Sequence, residues 1–316
     1  MKKVLFIDTD LGGDCDDVGA VALANIFKNN DIIEIAGMTH TTSLPWGPAC
    51  IEIINKFYNN DSIPIGATSR VNYCVENTNK FAEKMANAFS HTLKDREKVV
   101  DSVKFIRETL NNAEDNSITF VCIGQLNNAS DLLDSSPDEI SYLSGIELVR
   151  QKVKEFVIMG GLFKSDNEKI MFCGSEYNRE YNILTDIKSA QNFIKKVPVK
   201  TIFSDFKVGY QIHTAKPLLD KKDMKHPVTF AYTLFQDCPR ESWDLLTVWY
   251  AALEDETMFD VSNEGTIIIK DDAETIFDES QRSNHYYLRL NNSIEYIVNR
   301  IDNLLDGGKV YEKISN

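Results

Sequence analysis

Val4-Leu5-Phe6-Ile7-Asp8-Thr9-Asp10-Leu11-Gly12-Gly13-Asp14-Cys15-Asp16-Asp17 is the stretch whose reading decides the fold class of this chain. Four apolar residues in a row read as a strand buried on both faces, the kind that parallel sheets contain. An apolar helical pattern from Val18 to Phe27 follows the acidic turn, so the stretch opens a β-loop-α unit. Five aspartates fall within residues 8–17, in a chain with 48 acidic residues among 316. Carboxylates this dense repel one another unless a cation or shared protons neutralise them. In open α/β sheets ligands bind at the carboxyl ends of strands, which is where this cluster lies. Gly12-Gly13 supplies a sharp turn that folds the carboxylates back around one point.

Other uses of the aspartates account for less. Asp16 or Asp17 would serve as a helix N-cap, but capping employs one carboxylate and not five. A solvated acidic loop would not need to sit between a buried strand and an apolar helix. An EF-hand counted from Asp8 places Gly13 acceptably, yet puts Gly19 where the bidentate glutamate belongs. A hard-cation site of oxygen ligands is the leading reading.

Outward from this stretch, short apolar runs alternate with helical patterns along the chain. Strands are expected at Ile32–Met38, Ile63–Ile65, Ile118–Ile123, Phe156–Met159, Val199–Phe203 and Thr266–Ile269. Helices are expected near Pro48–Tyr58, Asn79–Leu93, Val100–Leu110, from Asn128, Ile187–Lys195, Asp244–Leu253 and Ser293–Leu305. No Pro/Gly/Ser-rich linker divides the chain, so residues 1–316 are expected to form a single domain. The 34 basic residues leave a formal net charge of −14, which repels phosphate backbones and argues against nucleic acid as a partner. Six scattered cysteines without a C-x-x-C pair suggest reduced thiols and no zinc site. No apolar run approaches the roughly 20 residues of a membrane helix, and Val4–Ile7 is too short for a signal peptide core. A cytoplasmic protein that contacts no membrane is expected.

Four further motifs bear on the acidic turn. Ile118-Thr119-Phe120-Val121-Cys122-Ile123-Gly124-Gln125-Leu126-Asn127-Asn128 is a strand running into a helix start. Phe156-Val157-Ile158-Met159-Gly160-Gly161 is a strand ending in two glycines. Glu180-Tyr181-Asn182-Ile183-Leu184-Thr185-Asp186 precedes a helix, and a shorter duplicate, Glu176-Tyr177-Asn178, stands beside it. Asp186 and the helix after it favour the second copy. Ser242-Trp243-Asp244 opens an apolar helix, where Asp244 alone would read as a cap at the positive helix end. His40 follows the second strand and is the histidine expected to line a pocket. His91, His213, His226 and His285 show no ligand spacing.

The pattern strand-D-x-D-x-G followed by D-D and an apolar helix resembles the inosine–uridine nucleoside hydrolase family. The family's commonest form is D-x-D-x-G-x-D-D. Here two further residues precede Asp16-Asp17, and the D-T-D-x-G-x-D-x-D-D spacing resembles a divergent subgroup. The later motifs resemble the family's G-P-L-T-N, V-x-M-G-G and E-[FY]-N-[IV]-x-x-D segments, in family order. The resemblance implies an α/β fold with a single open, mostly parallel sheet flanked by helices, and a site at the C-terminal strand ends. It also implies a calcium ion held by Asp10, Asp17, the main-chain carbonyl of Asn127, and Asp244. Asp10 would be the general base, while Asp16, Glu180 and Asn182 would grip sugar hydroxyls. Trp243 stands where several members place a leaving-group histidine, and an indole packs on a purine but donates no catalytic proton.

The reaction implied is hydrolysis of the N-glycosidic bond of a ribonucleoside or related N-riboside, through an oxocarbenium-like sugar cation. The nucleobase stays open, and family members are commonly dimers or tetramers. Two alternatives come from other classes. A haloacid dehalogenase-type phosphatase also begins with D-x-D after its first strand, but normally has Thr or Val where this chain has Gly12. A non-catalytic ribose- or nucleoside-binding homologue would keep the fold and lose turnover.

Overall fold

The structure, a computed structural model, describes residues 2–74, 81–93, 99–165 and 167–308. From the N-terminus, β1 (Lys3–Thr9) leads to α1 (Asp16–Asn29), β2 (Ile33–His40), α2 (Gly47–Phe57), β3 (Ile65–Ala67), α3 (Phe81–Ala88), β4 (Val100–Asp101) and α4 (Ser102–Asn112). The middle supplies β5 (Ile118–Ile123), α5 (Asn127–Asp134), α6 (Gly145–Lys152), β6 (Val153–Met159), the hairpin of β7 (Ile170–Phe172) and β8 (Ser175–Tyr177), α7 (Tyr181–Thr185), α8 (Ile187–Lys196) and β9 (Lys200–Ser204). The last third holds α9 (Phe206–Gly209), β10 (His213–Thr214), α10 (Lys216–Lys221), α11 (Pro227–Phe235), β11 (Arg240–Glu241), α12 (Trp243–Leu253), β12 (Phe259–Val261), β13 (Thr266–Ile269), β14 (Thr275–Asp278), β15 (His285–Leu290) and α13 (Ile294–Leu305).

Nine strands form one sheet in the order β12-β15-β9-β6-β5-β1-β2-β3-β4. Every neighbouring pair is parallel except β12–β15 at one edge. The expected α/β fold with an open, mostly parallel sheet is therefore the fold observed. The chain leaves β1 toward β2 on one side and later returns to β5 on the other. That reversal opens a crevice at the carboxyl end of β1, where such sheets take their ligands.

Both faces of the sheet are covered. Leu5 and Ile7 join the core on one side, with α1, α2 and α12, while Phe6 faces the other. On that second side Phe6, Phe120, Phe156 and Phe193 form a ladder with ring centroids 4.9–5.0 Å apart. The alternation explains why β1 reads as a continuous apolar run.

Several boundaries differ from the sequence reading. The third strand runs Ile65–Ala67 and not Ile63–Ile65: Pro64 accepts a bond from Met38 but has no N–H with which to continue the ladder. The helix expected at Asn79–Leu93 is Phe81–Ala88, with Asn79 and Lys80 outside the described residues. Val100 and Asp101 pair with β3, so α4 begins at Ser102, capped by the Asp101 carboxylate on Lys104 N. Among the described residues no helix is long and apolar enough to cross a membrane.

Candidate active site

The acidic turn is shaped by what its glycine permits. Gly12 has φ +124°, and a Cβ there would lie 2.3 Å from Leu44 Cδ2, so only glycine fits. After the turn α1 begins at Asp16, with Cys15 as an N-cap that makes no side-chain cap bond. Asp16 and Asp17 thus occupy the first helical turn and neither is the cap. Asp244 likewise sits in the first turn of α12, behind the N-cap Ser242. Because α1 packs on α12, the two helix N-termini converge and bring three carboxylates together. One oxygen from each of Asp16, Asp17 and Asp244 lies within 4.8 Å of the others, and all three residues are buried. The positive ends of both helices favour negative charge here.

Neighbouring side chains fix the carboxylates in place. Thr9 Oγ1 donates to Asp17 Oδ1, and Asp244 N donates to Asp16 Oδ2 at 3.3 Å. Gln125 Nε2 donates to Asp10 Oδ2 at 2.9 Å, while its own Oε1 accepts from Thr41 Oγ1 at 2.9 Å. Gly124 makes this possible, since a Cβ there would come 2.7 Å from Asp10 N. Asn127 Nδ2 donates to the Thr41 carbonyl at 3.0 Å, so Asn127 supports the segment that orients Gln125. Asp8 lies deeper, accepting from Thr39 Oγ1 and Asn128 Nδ2.

Electrostatics at this point are unfavourable without a counter-charge. Burial pushes the carboxyls of Asp16, Asp17 and Asp244 well above the ordinary range, and repulsion from neighbouring aspartates pushes the same way. Burial also raises Asp10 to about 6, against the opposing Gln125 bond. The converging donors are all carboxylate oxygens, a set suited to a hard divalent cation. Among the described residues no second group of three His, Cys, Asp or Glu side chains converges in this way.

Above the carboxylates lies a cavity of about 340 Å³ whose lining includes Asp10, Asp16, Asp17, Asp244, Glu180, Asn182 and Trp243. Seven of the residues singled out in the sequence therefore meet in one place. Glu180 caps α7: its Oε1 accepts from Asn182 N, and its Oε2 from Ile183 N and Gly161 N at 3.0 and 3.1 Å. Burial holds its carboxyl up at about 7. Asn182 Nδ2 reaches the Met159 carbonyl at 3.4 Å. Glu176, the duplicate, is exposed on β8 beside Lys169, so the second copy faces the cavity.

One expectation is corrected. His40 does not reach the cavity: it is fully buried beneath the turn, its ring nitrogens each 3.0 Å from a carbonyl, of Leu11 and of Thr42. A β2 residue pointing into the α1–α2 layer is walled off by the Leu11 loop. Asn127 opens α5 with its side chain turned back on Thr41 and outside the cavity lining, whereas the ligand expected of it is its main-chain carbonyl.

The sequence reading missed Gln125, which orients Asp10, and Arg240. Arg240 Nε lies 2.9 and 3.1 Å from the two Asp14 oxygens, Nη2 also reaches Asp14, and Nη1 donates to Glu241 at 2.6 Å. This separates Asp14 from the converging trio. The Arg240 guanidinium lies 5.1 Å from the centroid of the Trp243 ring and 5.2 Å from that of Phe235. Trp243 Nε1 donates to the Phe206 carbonyl, and Phe206 packs between Tyr177 and Trp243 with centroids at 4.2 and 5.3 Å. The only signal for Gln125 was its place in the G-Q-L-N-N motif; for Arg240, 226 residues from Asp14, there was none.

Solved structures share this fold. A plant nucleoside hydrolase aligns with 97% of this chain and 100% of its own at 17% identity and TM-score 0.69. A purine-preferring ribonucleoside hydrolase from Gardnerella vaginalis aligns with 96% of this chain and 98% of its own at 16% identity and TM-score 0.68. The type III effector protein XopQ, solved with adenosine diphosphate ribose, aligns with 96% of this chain and 94% of its own at 14% identity and TM-score 0.66. No curated protein matches the sequence significantly. The family profile described as inosine-uridine preferring nucleoside hydrolase matches residues 5–293. The chain therefore belongs to the inosine-uridine preferring nucleoside hydrolase family, glycosidases that act on N-ribosyl compounds.

Proposed function

We propose that this protein is a calcium-dependent hydrolase that splits ribonucleosides or related N-ribosides into free base and ribose. The observation that carries the reading is the convergence of Asp16, Asp17 and Asp244 beside Asp10, on the floor of a cavity that also holds Glu180 and Asn182. Asp10, Asp17, the main-chain carbonyl of Asn127 and Asp244 would hold the ion, with Asp16 close enough to share it. Bound there, calcium would neutralise the buried carboxylates and acidify a water molecule.

The remaining chemistry belongs to the chain. Asp10, oriented by Gln125, takes a proton from the attacking water. Asp16, Glu180 and Asn182 hold the ribose hydroxyls, contacts that orient the ring and strengthen as it flattens. The aromatic wall of Phe172, Tyr177 and Trp243 receives the base. Cytoplasmic residence is part of the same reading, and so is assembly as a homodimer or homotetramer, which rests on the family resemblance alone.

The test is base release across purine and pyrimidine nucleosides and other N-ribosides, with and without chelator, together with metal analysis. Base release that stops on chelation, with about one calcium per chain, is the expected result. Stoichiometric zinc, or turnover unaffected by chelation, would overturn the calcium assignment. The second reading, a ribose-binding homologue without turnover, draws on the fold shared with an effector protein solved with adenosine diphosphate ribose. Ribose binding with no base release from any substrate would establish it.

A further inference from the structure

N-glycosidic cleavage needs help at the departing base, and no histidine lines this cavity among the described residues. The lining contains six acidic side chains (Asp10, Asp14, Asp16, Asp17, Asp244 and Glu180) and a single cation, Arg240. The sugar-gripping groups lie on the carboxylate floor, so the base faces the aromatic wall. Arg240 belongs to that wall, packed on Trp243 and Phe235. Its bonds to Asp14 and Glu241 use Nε–H, one N–H of Nη1 and one of Nη2. A guanidinium carries five N–H groups, which leaves one on each terminal nitrogen for an occupant.

We propose that Arg240 is the leaving-group residue: its guanidinium donates hydrogen bonds to the departing base as negative charge builds on it. The inference rests on the hydrolase reading above. In the step, a water oxygen bonds to C1′ and its proton passes to Asp10. The C1′–N bond breaks, its electron pair stays on the base nitrogen, and the base anion then takes a proton from solvent. A guanidinium remains charged at any working pH, so Arg240 acts by electrostatic stabilisation and not as a proton donor. Asp14 and Glu241 hold the fork in place, which gives the insertion carrying Asp14 a task.

The test compares substrates that need leaving-group help with one that does not. Arg240→Gln should lose about 10²–10³-fold in kcat on inosine and uridine, the usual range for one preorganised donor. On 4-nitrophenyl β-D-riboside, whose phenolate leaves unaided, the loss should stay below about tenfold. Asp14→Asn/Arg240→Gln removes the unpaired carboxylate left by the single change and should show the same bias toward poor leaving groups. If the glutamine variants do not fold, Arg240→Lys keeps the charge and should show a smaller loss with that bias.

Equal losses on all three substrates would overturn the proposal and reduce Arg240 to a support for the turn. Failure of the parent reading looks different, because the unmodified protein would then release base from no nucleoside.

Discussion

The floor and the wall of the cavity draw on the chain in different ways. Asp10, Asp16 and Asp17 come from one turn, and only Asp244 arrives from far along the sequence. The wall takes Phe172 and Tyr177 from a hairpin, Phe206 from the start of α9, Phe235 from α11, and Arg240 and Trp243 from the segment entering α12. The floor concentrates charge, and buried charge constrains residue identity because each carboxylate needs a counter-charge or a proton. Apart from Arg240, the wall needs only apolar faces of suitable size, which many side chains supply. In the proposed function the floor attacks the sugar, and the wall, with Arg240, receives the base.

The hardest blow to the floor is Asp10→Asn. Loss of a general base costs about 10²–10⁴-fold in rate, and a weakened metal site adds to that. The fold should persist, since one fewer carboxylate relieves repulsion. Turnover like that of the unmodified protein would remove Asp10 from the mechanism.

Asp244→Asn tests the same floor through stability. Without calcium the variant should melt above the parent protein, because Asp16 and Asp17 lose a repelling neighbour. With calcium the order should reverse. A ligand at 100 times its Kd stabilises by about 2.7 kcal/mol, and the variant should forfeit most of that. Parallel calcium shifts in both proteins would exclude Asp244 as a ligand.

The same contrast explains what the sequence made legible. Asp8 to Asp17 stood out because charge density beside a buried strand is physically costly, and the parallel sheet followed from β1, β5 and β6 as unbroken apolar runs. Asp244 and the Glu180–Asn182 segment needed the family resemblance to link them across the chain. Gln125 had only its place in a motif, and Arg240 carried no local signal, since an ion pair across 226 residues exists only after folding. His40 misled because position after β2 does not say which layer its side chain enters.

Trp243→Ala probes the wall. Base–aromatic stacking is worth roughly 1–3 kcal/mol, or about tenfold to 200-fold in rate or binding. If the indole receives the base, purine ribosides should lose more than pyrimidine ribosides. The indole is also tied to the Phe206 carbonyl, so a drop in melting temperature should accompany the change. Equal losses on both substrate classes would make Trp243 a helix anchor only.

The smallest effect separates charge behind the wall from charge on the floor. Asp205 follows β9 as the N-cap of α9, buried beside Phe206, with Oδ2 accepting from Phe163 N at 2.9 Å. Burial raises its carboxyl from the ordinary 3.8 to about 7. Between those values the folded protein keeps a proton that the unfolded chain has released. Stability therefore falls as pH rises through this window, by at most about 1.4 kcal/mol per pH unit for one proton. Burial raises Asp8, Glu180 and Asp302 in the same direction, so the parent slope is shared among at least four groups. Asp205→Asn keeps an oxygen for Phe163 N and removes one proton's part of the slope. Measured by denaturant unfolding at saturating calcium from pH 4.5 to 7.5, the variant should gain on the parent steadily as pH rises. Its turnover at pH 7 should change little, because Asp205 lies behind the wall and outside the cavity lining. Stability curves that run parallel would mean Asp205 is ionised throughout, and a large loss of turnover would give Asp205 a part in the reaction.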